Sequence, residues 1–140
     1  MSKTYIPADL RRLVRDRAKD TCEYCLIPEQ VALVPHQVDH VIAEKHGGQT
    51  NEANLALACA LCNKYKGSDL ASVDTATGEI VRLYQPRCDR WSEHFRLVDG
   101  EMVPTTAIGR VTIKLLQLNR PTRILERRLC VSAGILNIPN

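Results

Sequence analysis

Behind Pro7, apolar residues recur at Leu10, Leu13, Val14 and Ala18 with charged positions between them, a spacing that predicts an amphipathic first helix with proline in its first turn. The pattern changes after a Pro28-containing linker. Residues 36–43 have strand character, residues 45–51 form a polar, glycine-bearing loop, and Leu55-Ala56-Leu57-Ala58 supplies a short second strand. A helix carrying Asn63 and Lys66 follows, with Gly67 placed to stop it. Strand, loop, strand and helix make a β-β-α unit. Further on, Asp74 to Gly78 reads as a turn before a strand over residues 80–84. Ile108, Val111, Leu115 and Leu118 have helical spacing, and Pro121 starts a last helix expected to turn Ile124, Leu125 and Leu129 inward. No linker-like break separates the halves. The expectation is one α+β domain over residues 1–140, with a core at about 22–67 and a mixed C-terminal extension over 68–140.

Composition narrows this picture. The 140 residues are 44% hydrophobic but only 4% aromatic, so the core is expected to be aliphatic and modest, and a bound metal would add needed stability. Six cysteines raise the possibility of a disulfide-bonded secreted protein, but the N-terminal residues lack the apolar stretch of a signal peptide. The expected setting is cytoplasmic, with reduced thiols free to bind metal. No apolar run approaches a membrane span. The net charge of +3 says little by itself, yet Arg11, Arg12, Arg15, Arg17 and Lys19 cluster near one end and Arg120, Arg123, Arg127 and Arg128 near the other. These are either basic flanks for a polyanion or ordinary solvated helix faces.

Cys22-Glu23-Tyr24-Cys25 and Cys59-Ala60-Leu61-Cys62 are two Cys-x-x-Cys knuckles. Each turn converges two thiolates on a tetrahedral ion at about 2.3 Å, and two turns fill its four positions, which marks a structural zinc site. Between the knuckles lie Asp39-His40 and Asn54, and Asn63 follows at once. A structural zinc has no use for those residues. A neutral histidine can take a proton from water near its ordinary pKa of about 6.5, and an Asp and Asn oxygen pair suits magnesium or manganese. Adjacent strand residues point to opposite faces, so Asp39 and His40 can address one reacting group only if the strand bends or ends there. Cys88 and Cys130 stand alone and read as buried thiols.

The runs CEYC, VDHVIAEKHGG and NEANLALACALCNKYKG resemble the HNH endonuclease family in its zinc-knuckle subgroup, closely over residues 22–67 and more loosely in the flanks. The resemblance implies a zinc-stapled ββα-metal core. It assigns Asp39 and Asn63 as ligands of one catalytic divalent ion, His40 as general base, and Asn54 as the residue that fixes the hairpin loop and His40. It further implies DNA cleavage to 5′-phosphate and 3′-hydroxyl ends. The final motif position, often histidine, is Asn63 here, a departure expected to alter metal preference. A non-catalytic zinc-dependent DNA-binding module is the alternative, and it would keep the cysteines without needing His40 and Asn63 together. A protein-interaction zinc module is a second.

Other residues bear on a nucleic-acid partner. Lys64 and Lys66 flank the expected metal helix, and Arg87, Arg90 and Trp91 could embrace a backbone, with Trp91 better read as a core anchor. His36 and His46 read as packed or solvent-facing.

Overall fold

The computed structural model describes residues 4–139. Helix α1 (Ala8–Ala18) follows Pro7, whose fixed φ suits a helix entry, and ends at Lys19 in the left-handed region. Strands β1 (Gln37–His40) and β2 (Leu55–Ala58) pair antiparallel, with Asp39 opposite Ala56 and His40 opposite Leu55. The short helix α2 (Ala60–Lys66) comes next and stops at Gly67. The Leu-Ala-Leu-Ala alternation of β2 explains how the layers fit. Leu55 and Leu57 turn to one face and pack with Val14 of α1, while the alternate face carries only alanine methyls, buried where Tyr24, Asn63 and Lys66 close in behind the hairpin.

The extension holds two more antiparallel hairpins, β3 (Ala71–Val73) with β4 (Ile80–Arg82) and β5 (Phe95–Val98) with β6 (Glu101–Pro104). Between them lies the single turn α3 (Trp91–His94), and α4 (Ala107–Leu115) and α5 (Pro121–Ser132) complete the chain. Phe95, Trp91, Tyr84, Met102, Leu116 and Leu118 form one core with Cys22, Tyr24, Leu26, Ile27 and the remaining knuckle cysteines. The two halves therefore share their interior.

The last helix faces differently from its expected orientation. Arg123, Arg127 and Cys130 point inward, whereas Leu125 and Leu129 are exposed, because the surface α5 meets presents carbonyls and sulfur rather than aliphatic side chains. Cys130 is buried as expected, but Cys88 lies exposed in the turn before α3.

Candidate active site and metal centre

Each knuckle is built by a hydrogen bond to its own sulfur. The Cys25 N–H donates to Cys22 Sγ at 3.5 Å, and the Cys62 N–H donates to Cys59 Sγ at 3.4 Å at the start of α2. Leu26, immediately after the first knuckle, takes a φ of 71°, a left-handed turn that a leucine adopts only under constraint. Chain direction then lets Glu23 pair with β2. Its N–H donates to Leu57 O at 2.8 Å, and its carboxylate accepts the Leu57 N–H at 2.9 Å. The ligand atoms of Cys22, Cys25, Cys59 and Cys62 all lie within 4.8 Å of one another, and the four residues are buried. Cys25 and Cys59 sulfurs stand 3.7 Å apart, far beyond a disulfide bond. Hydrogen bonds from the other three cysteines pull the Cys59 thiol strongly down, and burial pushes Cys22 up. Four buried, converging thiols suit a structural zinc ion.

A cleft of about 410 Å³ opens beside this cluster, lined by Gln37, Asp39, His40, Asn63, Lys64 and their neighbours. A second lobe of about 460 Å³ continues toward α1, sharing Gln37, Asp39, His40 and Asn63 and adding Tyr5, Arg11 and Arg15. The conflict between adjacent strand residues resolves by termination: β1 ends at His40, and the chain bends at Val41 and Ile42, so Asp39 and His40 both border the cleft.

His40 is 4% exposed, with Nε2 at 2.8 Å from Thr50 Oγ1 and Nδ1 buried without a partner. The Asn63 amide nitrogen donates to Gln37 Oε1, which leaves the Asn63 carbonyl oxygen as its available ligand atom. Asn54 stands behind the cleft instead of lining it. Its Oδ1 accepts the Ile42 N–H at 2.9 Å, and its Nδ2 donates to Ile42 O at 3.0 Å and Gln49 O at 2.9 Å. This clasp closes the loop that carries Thr50. Gly48 is required there, because a Cβ would sit 1.7 Å from Ile42 O.

Several cations that the sequence offered either for DNA contact or as solvated surface residues are committed internally. Lys66 is buried and donates to Val41 O at 2.7 Å, bracing the backbone just after His40, and burial lowers its pKa against the opposing influence of Asp39. Arg87 pairs with Glu23 and donates to Leu55 O, Arg15 pairs with Glu29, and Arg17 donates to Glu52 O and Leu55 O. Arg123 and Arg127 are buried. Among the aromatics and histidines, Trp91 packs on Phe95 with ring centroids 5.5 Å apart, His36 is buried with Nε2 on Ile27 O, and His46 reaches Ser68 O. Sequence reasoning missed Gln37 and Thr50. The Gly-Gly-x-Thr run marked the loop, but nothing local said that its hydroxyl would return to the histidine.

The family model described as HNH endonuclease matches residues 22–69. Residues 22–69 are an HNH endonuclease domain. Membership implies nuclease activity and a nucleic-acid substrate, and the match spans both knuckles, Asp39, His40, Asn54 and Asn63. No curated protein and no solved structure matches the chain. Among the described residues, no helix is long and apolar enough to cross a membrane.

Proposed function

We propose that this HNH protein is a DNA endonuclease whose β1–β2–α2 unit acts as a ββα-metal finger, with His40 as general base and one divalent ion held by Asp39 and Asn63. One observation carries the reading: His40, Asp39 and Asn63 border the same cleft, and His40 has one nitrogen tied to Thr50 and the other unpartnered. With Nε2–H donating to Thr50 Oγ1, Nδ1 keeps its lone pair, and this buried atom takes a proton from the attacking water once the cleft wall opens to admit it. The water oxygen bonds to phosphorus and the bond to the 3′ oxygen breaks, giving 5′-phosphate and 3′-hydroxyl ends once that oxygen takes a proton from solvent. The carboxylate of Asp39 and the amide oxygen of Asn63 form a hard oxygen donor set in an open cleft, which suits magnesium or manganese. When bound, such an ion neutralises charge on the phosphate and the leaving oxygen.

The cations left free to meet DNA flank this centre. Arg11 lies over the Tyr5 ring at 5.8 Å in one lobe, while Lys64 borders the other and shares the Tyr65 ring with Arg120. We assign these residues, rather than Arg123 and Arg127, to phosphate contact. Reduced knuckle thiols also suit a cytoplasmic setting.

Plasmid cleavage with magnesium or manganese tests the mechanism. His40→Ala is expected to retain zinc and DNA binding but cleave roughly 10²- to 10⁴-fold more slowly. Cleavage at the wild-type rate by His40→Ala, with contaminants controlled, would refute it. Binding without cleavage by the wild type would favour a non-catalytic zinc-dependent DNA-binding module.

A further inference from the structure

Arg127 is fully buried, and its guanidinium meets only neutral acceptors. Nε donates to Gly100 O at 2.7 Å, Nη1 to Cys25 O at 3.2 Å, and Nη2 to Leu118 O at 2.7 Å and Asn119 Oδ1 at 2.9 Å. One turn earlier on the same helix face, Arg123 is 7% exposed, with Nη2 at 3.5 Å from Cys59 Sγ. Its carboxylate partner, Glu126, is more than two-fifths exposed and therefore well screened. A buried cation without a counter-charge is costly, and hydrogen bonds to carbonyls satisfy its protons without neutralising its charge. Cys59 and Cys25, which the two guanidiniums touch at sulfur and at carbonyl, belong to the buried cysteine cluster, a group able to carry negative charge.

The charges match. A zinc ion with two positive charges, held by four thiolates, leaves a net charge of about −2 inside the core. Two guanidiniums cancel it. We propose that Arg123 and Arg127 are the outer-sphere counter-ions of a zinc tetrathiolate, so that α5, far from both knuckles in sequence, strengthens zinc binding and is in turn docked by the metal. Arg123 acts directly on a ligand sulfur, and Arg127 acts through the backbone of the first knuckle. The extension is thereby fastened to the HNH unit by electrostatics as well as by apolar packing. Arginine suits these positions because its fork donates to several acceptors at once, a sulfur and a carboxylate at Arg123 and three backbone carbonyls at Arg127, where a lysine offers a point charge.

Zinc affinity, measured by competition with a chromophoric chelator, tests the proposal independently of cleavage. Arg123→Met should weaken zinc binding roughly 10- to 100-fold, the usual effect of losing an outer-shell partner. Arg123→Lys, which keeps the charge, should be intermediate. Arg128→Met removes the same charge from the exposed side of α5 and should bind zinc like the wild type. Equal affinity in folded Arg123→Met and wild type would overturn the proposal, as would an equal loss in Arg128→Met. If Arg123→Met does not fold, the comparison of Arg123→Lys with Arg128→Met decides: a weaker Arg123→Lys supports the assignment, and equality refutes it.

Discussion

Asn54 uses both ends of its amide on the loop between β1 and β2, and this residue best separates a local reading from a structural one. An asparagine before a strand is commonly a turn former, and its position relative to β2 was legible from sequence. Its three backbone partners were not, because they depend on how the loop folds back over Ile42 and Gln49. Asn54→Ala would leave those partners unsatisfied in a partly buried setting, an expected loss of about 1–3 kcal/mol in stability by denaturant titration. Loss of the clasp also frees Thr50, so the variant is expected to cleave more slowly even where it remains folded. Unchanged stability and cleavage would count against the clasp. The same limit explains the basic residues: Arg17, Lys66 and Arg87 look like surface charges in a linear chain, and only the fold brings carbonyls and carboxylates to them.

At the scale of elements, α1, β2, α2 and α5 were legible because each has strong punctuation. Pro7, Gly67 and Pro121 mark three boundaries, and the Leu-Ala alternation marks β2. Strands β5 and β6 went unread although Asp99-Gly100 is a two-residue hairpin turn, with φ values of 50° and 84° that suit an Asp-Gly pair. Strand β3 is three residues long and mostly exposed, so it carries little pattern. Its turn is held by Asp74, which accepts from Arg110 Nη2 at 2.8 Å and thereby joins the β3–β4 hairpin to α4. That hydrogen bond pulls the Asp74 carboxyl down to about 2, below its ordinary value near 3.9. A carboxylate depressed on folding contributes stability above its unfolded pKa and loses it as pH falls through the folded one. Thermal melts should therefore show part of the acid destabilisation between about pH 4 and pH 2 arising from Asp74. Asp74→Asn should be less stable at neutral pH and flatter across that window. A pH profile parallel to the wild type would contradict this role.

For the whole molecule, the nesting of Asp39, His40 and Asn54 between two knuckles was the most legible feature, because motif order survives without coordinates. The joining of the halves was not, since it depends on Tyr84, Phe95 and Met102 entering the knuckle core and on α5 turning arginines inward. The proposed function calls for two metals with separate duties: zinc at the four buried, clustered thiols, and a divalent ion held by Asp39 and Asn63, which border the open cleft. Their exchange should differ sharply. The most direct test is a titration with a mild chelator that follows plasmid cleavage, zinc content and circular dichroism in the same samples. Cleavage should stop while zinc remains bound and the fold is unchanged, and added magnesium or manganese should restore it. Cleavage that persists after removal of all exchangeable divalent ions, or that falls only in step with zinc loss and unfolding, would contradict the two-metal account.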